Sequence, residues 1–175
     1  ENILYATTTF GQNEPDGRGS PSGADMSMYI KQQHQFVKSL SSNVRDQLVI
    51  RPYPNHCHGQ KQREQFESLM LKLKFDDNKY LVDSLLKSRL VVLDNIQTIF
   101  FEVIAYGVPV MVFHDESMWE FNREFSSICE EMKKLNMLHT SPESIAKFLS
   151  GIVDNIEGWF NTSEVQQLVE RLRSK

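Results

Sequence analysis

The sequence predicts an α/β fold built on a doubly wound parallel sheet, and three observations carry that prediction. Short apolar segments rich in β-branched residues alternate with amphipathic helical segments about five times along the 175 residues. One of them, Arg-Leu-Val-Val-Leu-Asp at 89–94, is apolar with no alternation, the pattern of a strand covered by helices on both faces. The helical segment that follows it ends at Gly107, and a Val-Pro-Val turn leads straight into another apolar strand.

The elements follow in order. Residues 2–10 are β-branched and aromatic and predict a buried first strand. Residues 11–25 hold four glycines and two prolines among polar residues and predict a long, flexible loop. A helix starts after Asp25 as its cap, with Met28, Ile30, Phe36, Val37 and Leu40 near one face. Residues 47–54 form a short strand stopped by two prolines, and residues 61–73 an amphipathic helix. A brief strand at 74–77 ends in Asp76 and Asp77, and a helix over 78–88 carries a stripe of Leu81, Leu85 and Leu86. Strand 89–94, helix 97–107 and strand 108–113 come next. The tail is helical over 118–135, 141–153 and 163–172, with Ser141 as a cap and Pro142 at the first helical position. The order implies a Rossmann-like sheet of about five strands with a helical C-terminal tail.

The totals narrow the function. A formal net charge of −4 argues against a nucleic-acid binder. Two cysteines, Cys57 and Cys129, do not make a disulfide framework and fit a reducing compartment. No run of eighteen apolar residues predicts a transmembrane helix, and the chain opens on a strand rather than a signal peptide. The start at Glu1, without Met, reads as a boundary inside a longer polypeptide or a cleaved product. On this reading residues 1–175 are a single ligand-binding domain of a larger, two-domain protein.

In a sheet of this kind ligands bind beyond the carboxyl ends of the strands. Those ends hold Thr7 to Thr9, Arg51 to His58, Asp76 and Asp77, Asp94 to Thr98, and His114 to Trp119. The polar cluster Asp94, Asn95, Gln97 and Thr98 lies where strand 89–94 turns into a helix. The first amides of that helix, with the Thr98 hydroxyl, form a site for a phosphate. Glu102 follows one turn deeper on the same face, placed for a sugar diol. Phosphate and diol together describe a nucleotide. The competing reading is that Thr98 only caps the helix and Glu102 makes a surface ion pair.

The stretch Leu-Asp-Asn-Ile-Gln-Thr-Ile-Phe-Phe-Glu-Val-Ile-Ala-Tyr-Gly-Val-Pro-Val-Met-Val-Phe resembles the nucleotide-sugar-binding, C-terminal half of GT-B glycosyltransferases. There a strand, a small-residue loop, a helix bearing Glu and a Gly-x-Pro turn recur. Val-Ile-Arg-Pro-Tyr-Pro-Asn-His at 49–56 resembles the Arg-x-Tyr-Pro-His segment of a family of bacterial surface-carbohydrate transferases, and residues 113–122, 135–149 and 159–172 resemble its tail. The resemblance runs from about Asn2 to the end of the chain. It implies transfer of a sugar from a nucleotide-sugar to a glycan or lipid-linked acceptor in capsule or lipopolysaccharide assembly. It implies a cytoplasmic protein, peripheral at the inner membrane, whose N-terminal domain supplies the general base, so that residues 1–175 alone are expected not to turn over. The nucleotide-sugar is a substrate, and no cofactor or metal is expected. Thr98 and Glu102 match donor-site positions, and Arg51 and His56 match the basic loop. Where relatives carry a Ser/Thr/Gly-rich loop this chain has Asn95-Ile96-Gln97, which removes backbone freedom. That departure supports an alternative, a nucleotide-binding or interaction module without chemistry; a further alternative is a UDP-sugar epimerase-like enzyme of the same architecture.

Other residues have two readings each. Arg51 clamps a phosphate, or it ties down its own loop through Asp76 or Asp77. His56, Cys57 and His58 are adjacent and lack a second pair at zinc spacing, so contact with a phosphate or base, or plain exposure, is favoured over a metal. Thr8 and Thr9 line the cleft floor, or at least one of Thr7, Thr8 and Thr9 faces away from it. Asp115, Glu116 and Glu120 touch sugar hydroxyls, while Trp119, Trp159 and Phe160 are packing residues. No Gly-x-Ser-x-Gly elbow, P-loop or Gly-x-Gly-x-x-Gly turn is present.

Overall fold

A computed structural model describes residues 2–8, 23–53, 59–115 and 123–174. These hold six strands in one sheet: β1 (Asn2–Ala6), β2 (Leu48–Arg51), β3 (Lys74–Phe75), β4 (Ser88–Leu93), β5 (Val110–Phe113) and β6 (Leu138–His139). The order is β3-β2-β1-β4-β5-β6, and every pairing is parallel. The helices are α1 (Gly23–Ser39), α2 (Ser42–Gln47), α3 (Gly59–Glu67), α4 (Leu81–Leu85), α5 (Thr98–Tyr106), α6 (Arg123–Lys134), α7 (Pro142–Ile152), α8 (Ile156–Phe160) and α9 (Ser163–Arg173).

Alternate residues of each central strand feed two separate cores, because successive side chains of a strand point to opposite faces. Ile3 and Tyr5 of β1, Leu90 and Val92 of β4, and Met111 and Phe113 of β5 pack with Phe36, Phe66, Ile145 and Leu149 from α1, α3 and α7. Leu4 and Ala6, Val91 and Leu93, Val110 and Val112 pack on the other side with Phe100, Val103 and Ile104 of α5 and Val165, Leu168 and Leu172 of α9. Each fully buried side chain of this size contributes about 1.5–3 kcal/mol of burial. The Tyr5, Phe36 and Phe113 rings meet at centroid distances of 4.9 to 6.1 Å.

The sheet has six strands rather than about five. The extra one, β6, is two residues long, too short for any periodicity, and is held by His114 N–H donating to His139 O at 2.8 Å. Helices α2 and α8 are similarly short turns without a sequence period. Asp25 lies inside α1 rather than capping it, so the last residues of the expected loop 11–25 are helical; residues 11–22 lie outside the described residues. Ser141 does cap α7, its Oγ accepting from Ser144 N–H at 3.2 Å, with Pro142 following. Trp159 packs in both cores and donates through Nε1 to Leu135 O at 3.0 Å. No helix among the described residues is long and apolar enough to cross a membrane.

Gly107 closes α5 in the left-handed region, at φ 72°. A Cβ there would also come within 2.8 Å of Arg173 Nη2, and Arg173 Nε donates to Ile104 O at 2.9 Å across the helix end. Gly107→Ala is therefore expected to cost about 1–2 kcal/mol from the backbone conformation alone. A urea unfolding midpoint below that of the parent checks it.

Candidate active site

Strand order reverses between β1 and β4: the chain builds outward from β1 to β2 and β3, then returns to the other side of β1. A cavity of about 320 Å³ opens at the carboxyl ends of these strands. It is lined by Thr7 and Thr8 after β1, Arg51, Pro52 and Tyr53 at the end of β2, Leu81 of α4, and Gln97, Thr98 and Glu102 of the β4–α5 segment. Thr8, Arg51, Gln97, Thr98 and Glu102, spread over 95 positions of sequence, therefore share one wall-and-floor arrangement.

Helix α5 supplies one wall. Gln97, extended at φ −133° and ψ −169°, is its N-cap, and its side chain makes no capping hydrogen bond. Thr98 is thus the first helical residue and not the cap. Phe100 N–H donates to Gln97 O at 2.9 Å, which leaves the amides of Thr98 and Ile99, both lining the cavity, at the positive end of the helix dipole. Phe100, Val103 and Ile104 hold the opposite stripe of α5 in the core, which leaves Thr98 and Glu102 exposed on the cavity side.

The floor is a buried hydrogen-bond network that sequence reading did not reach. Thr8 N–H donates to both Asp94 oxygens, at 3.1 and 3.2 Å. Gln33 Nε2 donates to Asp94 Oδ2 at 2.7 Å and to Thr8 O at 2.9 Å, and Tyr5 OH donates to Asp94 Oδ2 at 3.3 Å. Burial pushes the Asp94 carboxyl up, against the pull of the Tyr29, Gln33 and Thr8 groups around it. Burial, and then the facing Asp94 charge, raises the Tyr5 phenol well above its ordinary value. From α3, Gln62 Oε1 accepts from Thr7 Oγ1 at 2.8 Å and from Tyr53 N–H at 2.9 Å, while its Nε2 donates to Thr8 O at 3.0 Å. One amide thereby fixes the ends of β1 and β2 relative to each other.

Arg51 has a buried anchor. Its Nη1 donates to Asp76 Oδ2, to Asn78 O at 3.0 Å and to Ser84 Oγ at 3.2 Å. The Arg51 side chain is 16% exposed and that of Asp76 only 4%. Burial would raise the Asp76 carboxyl, but hydrogen bonds from Ser84, Arg51 and the Asn78 amide outweigh it and hold the group below its ordinary value. A carboxyl depressed in the folded state adds stability above its unfolded value, and that stability is lost as pH falls through the folded value. Acid unfolding of the parent chain should steepen below about pH 4, near the unfolded carboxylate value. Asp76→Asn should flatten that slope, read from urea midpoints between pH 5 and 2.5.

The other residues singled out from sequence lie elsewhere. Asp94 and Asn95 are each 3% exposed and do not line the cavity. Asp94 spends its oxygens on protein donors, so it builds the floor rather than facing a ligand. Asp115 lies at a separate cleft with Lys31, Lys38 and Glu143, and Gln32 Nε2 donates to it at 2.6 Å. Thr9, His56, His58, Glu116, Trp119 and Glu120 lie outside the described residues. Among the described residues no group of three or more His, Cys, Asp or Glu is arranged to hold a metal.

The model of one protein family, described as LIC12162 family transferase, matches residues 1–175. The chain belongs to the LIC12162 transferase family. A comparison with curated protein sequences gives no match. Among solved structures, this family member is similar to the catalytic domain of cholesterol-α-glucosyltransferase from Helicobacter pylori, at 14% identity and a TM-score of 0.52 over 99% of this chain and 96% of that one. It is also similar to WaaG, a glycosyltransferase involved in lipopolysaccharide biosynthesis, at 13% identity and a TM-score of 0.47 over 99% of this chain and 42% of that one. The first likeness bears out the Rossmann-like sheet as the fold of a GT-B domain.

Proposed function

We propose that this LIC12162 family transferase is the sugar-donor-binding half of a glycosyltransferase that moves a sugar from a nucleotide-sugar to a surface-polysaccharide acceptor. The observation that carries the reading is the meeting, in one cavity at the switch point of the sheet, of the uncapped α5 N-terminus, Arg51 and Glu102. Phosphate oxygens are held by the Thr98 and Ile99 amides, the Thr98 hydroxyl and the Arg51 guanidinium. Glu102, one turn deeper, accepts from a sugar diol. The half-exposed Tyr53 and Leu81 form an apolar wall for the remaining, uncharged part of the ligand.

The chemistry is displacement at the anomeric carbon. As the glycosidic bond to phosphate breaks, negative charge grows on the leaving phosphate, and fixed N–H groups aimed at that charge stabilise the transition state more than the ground state. On this reading protein groups rather than a metal meet that charge. A second domain of the polypeptide supplies the general base and the acceptor, at the cytoplasmic face of the membrane.

The test is a thermal-shift and calorimetric screen against UDP, GDP, CMP, ADP and their sugar conjugates. A ligand that binds only the folded state adds about 2.7 kcal/mol at a hundredfold excess over Kd. Selective stabilisation by one base, lost in Glu102→Ala, is the expected result. Stabilisation by none of them, in this chain and in the full polypeptide, overturns the reading in favour of a module without nucleotide chemistry.

A further inference from the structure

We propose that Asp76 and Ser84 are positioning residues that aim the Arg51 guanidinium at the phosphate of the bound ligand. The inference rests on the sugar-donor reading of the cavity and assigns a task to residues outside the cavity lining.

The geometry is that of a held tool rather than a surface ion pair. Arg51 closes β2 at its carboxyl end, and Asp76 lies just after β3, the neighbouring parallel strand, where its amide donates to Ile50 O at 2.8 Å. Sheet pairing alone therefore sets the two side chains next to each other. The Asp76 carboxylate is itself fixed on both oxygens. Asn78 donates to Oδ1 through its amide at 3.1 Å and its Nδ2 at 2.6 Å, and Ser84 Oγ donates to Oδ2. Asn78 Nδ2 also reaches Ser84 Oγ, at 3.2 Å. Ser84 is 4% exposed, on a helix whose next residue, Leu85, is in the core.

Among the described residues, every hydrogen bond of the Arg51 guanidinium leaves from Nη1. A guanidinium carries five N–H donors in a rigid planar fork. Pinning one corner fixes the plane and leaves Nε and Nη2 to donate elsewhere, on a side chain that lines the cavity. A freely rotating arginine loses rotamer entropy when it binds an anion; an arginine already held loses little. The cost is that Asp76 offsets part of the Arg51 charge. Orientation and net charge thus make opposite predictions, and an experiment can separate them.

The probe is inorganic pyrophosphate, which carries the phosphate oxygens without base or sugar, titrated calorimetrically into the 175-residue chain and into Arg51→Gln, Asp76→Asn, Ser84→Ala and Thr98→Pro. Calorimetric stoichiometry counts the folded, competent molecules. Ser84→Ala changes no charge, and its expected effect is a three- to tenfold weaker affinity. Asp76→Asn makes the chain more positive, yet its expected affinity is about tenfold weaker, close to that of Arg51→Gln. Tighter binding by Asp76→Asn would mean that Asp76 competes for Arg51 and would overturn the inference. Lowered melting temperatures with unchanged affinity per folded molecule would make the cluster purely structural and overturn it too. If Thr98→Pro weakens binding and Arg51→Gln does not, the cavity reading stands while this inference falls. If neither the parent chain nor the full polypeptide binds pyrophosphate or any nucleotide, both fall.

Discussion

Asp94→Ala is expected to lower the unfolding free energy by about 3–5 kcal/mol, because it strands several buried neutral donors at once. The carboxylate accepts from Thr8 N–H twice, from Gln33 and from Tyr5, all buried. Alanine leaves these donors facing a void, and each unsatisfied group costs about 1–3 kcal/mol. Partial relaxation keeps the total below the simple sum. Asp94→Asn is expected to be intermediate, because one oxygen remains while the new amide nitrogen faces groups that already donate. The measurement is the urea midpoint, with the slope unchanged if the denatured state is the same. In a chain of this length 1 kcal/mol moves the melting temperature by about 2–4 °C, so a fall of roughly 6–20 °C is expected. A loss under about 1 kcal/mol, within the range of a single neutral hydrogen bond, would mean that the network relaxes around the missing carboxylate.

Thr98→Pro is expected to separate binding from folding. Proline suits the first position of a helix, where its fixed φ is helical and no intrahelical partner needs its N–H. Gln97 before it is already in the extended conformation that a residue preceding proline requires. The variant should therefore melt within a few degrees of the parent. It lacks both the Thr98 amide proton and the hydroxyl, and a hydrogen bond to a charged group is worth about 1.5–3 kcal/mol. Nucleotide or pyrophosphate affinity should fall about 10- to 100-fold. An unchanged affinity would place the anion away from the α5 N-terminus.

The parts of this fold that sequence reading reached are those with a period or a punctuation mark. The unbroken apolar run at 89–94 marked a central strand because only a strand covered on both faces is apolar at successive positions. Gly107 and the Ser141-Pro142 pair marked helix ends through backbone geometry that few residues satisfy. The missed elements, α2, α8 and β6, span two to six residues and leave no period to detect. In the site, Thr98 and Glu102 were visible because four residues of helix put them on one face. Arg51 paired with Asp76, the alternative weighed from the sequence, and it lines the cavity as well. Asp94 was visible as a strand-end carboxylate, but its inward direction depends on Gln33, 61 positions earlier. Gln62 was illegible: it is one polar residue on a polar helix, and its partners Thr7 and Thr8 stand more than fifty positions away.

The two sides of the cavity differ in what else their residues do. Thr98 and Glu102 stand on the outer stripe of α5, whose inner stripe alone touches the core. Arg51, Thr8 and the residues beneath them are woven into contacts that also hold strands together. A library selected for thermal tolerance would therefore leave positions 98 and 102 free to drift while policing 51, 76 and 94. A library selected for activity would constrain all five. Comparing the two would sort the residues that serve the ligand alone from those that serve ligand and scaffold at once.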